Sequence, residues 1–115
     1  MYRVFRSDWY DKKFGKLDNR EQERVSDFEQ SLKLSPYTGR PLGYAFFREK
    51  KFEGKRLLFL IYEEYKTVFL VTITDKKAQQ EDIDSIRENL GLYKQEIQKR
   101  TGMFTLLLLF MRGCL

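Results

Sequence analysis

The 115-residue sequence predicts one α+β domain, with a helical hairpin and a C-terminal helix packed on a twisted antiparallel sheet in the order β-α-α-β-β-β-α. Three observations predict it. A brief strand-like stretch is followed by two amphipathic runs with helix-start signals. Three strand-like runs separated by tight turns come next, and a run with apolar residues at three- and four-residue spacing closes the domain. With 42% hydrophobic and 16% aromatic residues, the chain has enough apolar surface for one core.

Tyr2 to Arg6 reads as the first strand, and Ser7 as the N-cap of a helix carrying Trp9, Tyr10 and Phe14 that ends near Gly15. Asp18 with Glu21 has the form of a capping box, and Leu17, Val25, Phe28 and Leu32 lie along one stripe of a second helix. Ser35-Pro36 stops that helix. Pro36 to Gly43 holds both prolines and two glycines in eight residues and reads as a loop. Phe46 to Phe52, Arg56 to Tyr62 and Val68 to Thr74 then read as an antiparallel meander, turning at Glu53-Gly54 and around Glu64-Tyr65. The middle run, RLLFLIY, is apolar on both of its faces, which suits a central strand with elements packed on each side, although the helices are expected on one face of the sheet. Ile83, Ile86, Leu90, Tyr93 and Ile97 mark a last helix that is expected to bend or break at Gly91. The domain is placed at residues 1–100. Residues 101–115 form an apolar tail of different composition, whose continuous run from Met103 to Met111 is about half the length of a membrane-spanning helix, so no span is expected.

Charge narrows the chemistry. The sequence has 22 Lys plus Arg against 17 Asp plus Glu and no histidine, which excludes Ser-His-Asp and Cys-His nucleophile systems and HExxH zinc sites. One cysteine, Cys114, excludes a disulfide framework, and neither a metal nor a cofactor is expected. Nearly all the basic excess is central: residues 36–77 hold nine basic and five acidic side chains. A concentration of this kind suits a polyanionic partner as well as it suits an ordinary solvated surface. The charged N-terminus has no apolar signal segment, which predicts a cytoplasmic protein.

Two-residue turns would set Phe52 opposite Lys55, Lys51 opposite Arg56, and Arg56 opposite Ile73. Arg48, Lys50, Lys51, Lys55, Arg56, Lys76 and Lys77 would then gather at one end of the sheet, with strand alternation sending only some of them to a shared face. Each has a plainer role open to it. Lys50 and Lys51 are also ordinary edge-strand charges, Arg56 also has Glu49 and Glu53 as possible partners, and the Asp75-Lys76-Lys77 corner also reads as a helix cap. Tyr44, Phe46, Phe47 and Tyr65 fit the core or its rim better than a base-stacking platform.

From Gly39 to Lys77 and on through AQQEDIDSIRENL, the sequence resembles the RelE/ParE superfamily of toxins from type II toxin–antitoxin modules. The resemblance covers roughly residues 2–98. It rests on PLG before the first hairpin, on REKKFEGKRLLFLIY and on VTITDKKAQQ. It implies a ribonuclease, or mRNA interferase, that cleaves mRNA in the ribosomal A site and is held inactive by an antitoxin, alone or in an oligomer with it. It also implies catalysis by Lys and Arg. Lys50 or Lys51 stands as the base, Arg56 on the phosphate, and Lys77 on the phosphate or the leaving oxygen; Arg48, Lys55, Lys76 and Tyr44 are the RNA-binding candidates. A tyrosine of the RelE branch has no counterpart here, and Ile83 lies about where it would stand. That gap favours two alternatives: a ParE-like inhibitor of DNA gyrase, or a RelE-fold binding protein with weak or no catalysis. Cation-based cleavage is chemically sound, because a 2′-hydroxyl attacking the adjacent phosphodiester builds negative charge that Lys and Arg stabilise.

Overall fold

The computed structural model describes residues 1–102; the apolar run from Met103 and the separate tail expected there lie outside them. Arg3–Arg6 forms β1, Asp8–Phe14 forms α1 and Asn19–Leu32 forms α2. Ser7 caps α1 by accepting the Tyr10 amide at 3.0 Å, while its hydroxyl donates to the Val71 carbonyl and ties the helix start to the sheet. The expected capping box opens α2: Asp18 accepts the Glu21 amide at 2.8 Å, and Glu21 accepts the Asp18 amide at 3.2 Å. Caps of this kind satisfy amides that have no partner within the helix, at about 1 kcal/mol each.

Four further strands follow: Arg40–Tyr44 (β2), Phe47–Phe52 (β3), Lys55–Tyr62 (β4) and Thr67–Asp75 (β5). Gln79–Glu88 (α3) and Leu90–Arg100 (α4) complete the described chain. The strands make one sheet in the order β1-β5-β4-β3-β2. The α+β class is as the sequence predicts, and four details differ from its reading.

The stretch read wholly as a loop contains β2. Pro41 is tolerated there because β2 is an edge strand, where a missing N–H breaks no ladder. The sheet is mixed, since β1 pairs in parallel with β5 from Arg3–Thr67 to Arg6–Leu70; a four-residue strand carries no signal for pairing direction. Helices cover both faces. Tyr10, Leu17, Val25 and Leu32 pack on Leu57, Phe59, Ile61 and Leu70, while Ile83, Ile86 and Ile97 pack on Phe47, Leu58, Leu60 and Phe69. The two-sided apolarity of β4 is thereby accounted for. Finally, the last helix breaks at Asn89, whose amide reaches back three residues to the Ile86 carbonyl, and Gly91 falls in the first turn of α4.

One polar group is deliberately buried on the α1–α2 face. Glu29 is 8% exposed and accepts the Tyr10 hydroxyl at 2.7 Å and Arg6 Nη2 at 2.8 Å, while the Arg6 guanidinium lies 4.0 Å over the Phe14 ring. Burial, and then the Glu29 carboxylate, push the Tyr10 hydroxyl far above its usual pKa, so it stays a proton donor. No described helix is long and apolar enough to cross a membrane.

Candidate functional site

The site is set by the β3–β4 hairpin. Glu53 and Gly54 both adopt positive φ, +43° and +78°, the pattern of a two-residue turn whose twist matches the flanking strands. That turn places Lys51 opposite Arg56 and Phe52 opposite Lys55, as the sequence predicts. On the next hairpin, the predicted register holds from Tyr62–Thr67 to Phe59–Leu70 and then slips, because Leu58 pairs with Thr72. β5 carries one extra residue at this bulge, so Arg56 faces Thr74 and not Ile73. The slip sends Ile73 into the α1–α2 core, where it is 4% exposed, and leaves a small polar side chain beside Arg56.

Lys51 and Arg56 line a cleft of about 360 Å³ with Arg40, Glu49 and Gln79. Glu49 is 6% exposed and holds the cleft wall together, accepting Arg40 Nε at 2.8 Å and Gln79 Nε2 at 2.7 Å. Gly39 permits this wall. Its φ is +74°, and a Cβ there would lie 2.1 Å from the Glu49 carbonyl oxygen. Neither Glu49 nor Glu53 pairs with Arg56, because Glu53 is taken by Arg20 at 3.1 Å and by Arg24. Among the described residues, Arg56 Nη1 is the buried side-chain nitrogen without a hydrogen-bond partner. Leaving a buried donor unpaired costs about 1–3 kcal/mol, and more for a charged group.

The remaining predicted residues are dispersed. Lys50 points to the opposite face, with its Nζ 5.7 Å from the Phe28 ring centre, so it does not join Arg56. Lys55 is bound to Glu21 at 2.6 Å. Arg48 donates to the carbonyls of Thr38 at 2.8 Å, Ala45 at 3.0 Å and Gly39 at 3.2 Å, which makes it a clamp on the loop before β3. Tyr44 stacks on Phe46 at 4.8 Å, at the far end of β3 from Lys51. Lys76 and Lys77 are exposed in the turn from β5 to α3, between Asp75 and the cleft residue Gln79, and Asp75 Oδ1 accepts the Ala78 amide at 2.9 Å. The expected gathering of seven cations is thus split by strand alternation. Lys51 and Arg56 share the cleft, and Lys76 and Lys77 are not among its lining residues.

Arg40, Glu49 and Gln79 were not foreseen as site residues. Glu49 was within reach, since it is two residues before Lys51 and must share its face. Arg40 was hidden because its segment reads as a loop. Among the described residues, no three carboxylates or thiols converge as a metal site.

No protein-family model and no curated protein sequence matches the chain. Among solved structures, the chain is similar to the toxin–antitoxin complex RelBE2 from Mycobacterium tuberculosis, at 25% identity and a TM-score of 0.58, over 65% of this chain and 98% of that one. It is also similar to the isolated E. coli RelE toxin, at 18% identity and a TM-score of 0.60, over 75% of this chain and 99% of that one. The archaeal RelE–RelB complex from Pyrococcus horikoshii aligns at 14% identity and a TM-score of 0.57, over 65% of this chain and 94% of that one.

Proposed function

We propose that this chain, which has the fold of the RelE-like toxin superfamily, is the toxin of a type II toxin–antitoxin module and acts as a ribosome-dependent mRNA endoribonuclease. The solved complexes of RelE with RelB support an antitoxin as its protein partner. The observation that carries the catalytic reading is the Lys51–Arg56 cross-strand pair lining a cleft that also holds Arg40, with Arg56 Nη1 buried and unpartnered.

The reaction needs an anion held in line, a sink for developing charge and an acceptor for the 2′-hydroxyl proton. Arg56, which lines the cleft, takes the scissile phosphate with its guanidinium. Lys51, joined by Lys77 if the exposed turn after β5 brings it to the bound RNA, stabilises the charge that builds on the phosphorane and on the leaving oxygen. The 2′-hydroxyl proton passes to the Glu49 carboxylate in the cleft, which leaves Lys51 a cation throughout the step. Lys50 has no part in this step, since it lies on the other face.

A second reading, a ParE-like gyrase inhibitor or a non-cleaving binding protein, is favoured by Ile83. This residue is 4% exposed in the α3-side core, so no aromatic side chain stands at that position to stack a base or move a proton. Cell-free translation with primer-extension mapping of the message separates the readings. The nuclease predicts cleavage only when ribosomes engage the message, a loss of about 100-fold in Arg56→Ala and a smaller loss in Lys51→Ala. Intact message together with blocked gyrase supercoiling overturns it in favour of the second reading.

A further inference from the structure

β2 leaves the sheet edge at the Arg40–Glu49 pair, so Lys50, Lys51 and Phe52 continue as the open edge beside the hairpin turn. Lys51 consequently lines two clefts. One is the Arg56 cleft described above; the other, of about 380 Å³, lies on the α2 face between Phe28 and Phe52, with Arg24, Lys50 and Glu53 at its rim.

We propose that this second cleft is a nucleotide subsite: it takes the nucleotide next to the cleaved phosphodiester, with the base against Phe28 and Phe52 and the phosphate on Lys50. The inference rests on RNA being the substrate of the first cleft. Its volume falls within the range of small-molecule sites. Its walls are aromatic and partly buried, so they are held in place before a base arrives, and base–aromatic stacking is tolerant of sequence. Among the lining residues, Arg24, Lys50 and Lys51 outnumber Glu53, the single carboxylate, and Glu53 is itself engaged by Arg20 and Arg24. Lys50 sits with its ammonium over the Phe28 ring, a cation–π contact that a flexible stem can give up for a phosphate. Moving that side chain uncovers the ring on which the base stacks. Lys50 and Lys51, adjacent on the open edge and turned to opposite faces, would keep the two phosphates in sequence along one strand.

The test is binding of a single-stranded RNA decamer to the full chain, followed by fluorescence anisotropy across a salt series. Lys50→Gln is expected to weaken binding and to lower the slope of log K against log salt by about 0.7, the contribution of one phosphate contact on a single strand, and Lys50→Arg to restore both. Phe52→Leu is expected to weaken binding about tenfold with the slope unchanged. Because Phe52 also packs on the core, a 5-iodouridine decamer photocrosslinked to the unaltered chain gives an independent reading, with adducts expected at Phe28 or Phe52. Parent-like binding by Lys50→Gln, or adducts only elsewhere, overturns the subsite; if Arg56→Ala still abolishes binding, the first cleft stands. No binding of the decamer by the parent chain at low salt overturns the subsite, while the first cleft stands or falls on ribosome-dependent cleavage.

Discussion

Arg56 and Glu63 stand at the two ends of β4 and use charge in opposite ways. Arg56 keeps a buried donor unspent, whereas Glu63 is saturated, accepting the Tyr2 hydroxyl at 2.7 Å, the Tyr37 hydroxyl at 2.9 Å and the Lys66 ammonium. The hydrogen bond from Lys66, then those from Tyr2 and Tyr37, lower the Glu63 carboxyl from 4.5 to about 2. A carboxylate whose pKa is depressed by folding stabilises the fold above its unfolded value, and that contribution is lost as pH falls toward the folded value. Urea midpoints are therefore expected to fall between about pH 4.5 and about pH 2, and less steeply in Glu63→Gln than in the parent. Parallel curves overturn this account. At the same scale, Lys51 and Arg56 were legible in the sequence because a two-residue turn and strict alternation fix both their pairing and their face. The status of Arg56 Nη1 was not, since Glu49 and Glu53 both lay within reach along the chain and only tertiary packing commits them to other cations.

Helix starts, strand runs and the β3–β4 turn could be read because each rests on local chemistry: a cap, an alternation, or a pair of residues that accept positive φ. The bulge in β5 could not. Nothing in VTITD announces an extra residue, and the slip is decided by which of Val71, Thr72 and Ile73 the two cores can take. β2 was missed for a related reason, as proline and glycine signal a loop until an edge position makes them harmless. The α3–α4 break gives a direct test of element-scale reasoning. Gly91 lies in the first turn of α4, and a Cβ added there meets no atom within 4 Å. Gly91→Ala is expected to raise stability by about 0.5–1 kcal/mol, because alanine loses less backbone freedom on folding. Denaturant unfolding checks it, and a destabilised variant would show that α4 needs glycine at this turn.

For the whole molecule, a sheet covered on both faces makes β4 its most constrained element. Leu57 and Leu58 are neighbours in sequence, yet they enter different cores, at 1% and 0% exposure. Leu57→Ala and Leu58→Ala are each expected to cost about 2–5 kcal/mol by denaturant unfolding, and a cost confined to one of them would mean that one face is loosely covered. The fold class was legible at this scale from the order of helical and strand-like runs; the two-sided apolarity of RLLFLIY signalled cover on both faces although helices were expected on one, and the parallel placement of β1 was hidden, since its partner lies 64 positions further along the chain. That pairing also dictates an order of assembly. The β3–β4–β5 meander closes through short turns and forms from neighbouring sequence, so Lys51 meets Arg56 early. β1 has to wait for the last strand, and Ser7 cannot anchor α1 until Val71 is in place. During synthesis, the helical hairpin is therefore made before the surface that it covers, meeting β4 first and its Val71 anchor only once β5 has left the ribosome. Closure of the β1–β5 seam is the slow, long-range step by which this chain becomes a finished molecule.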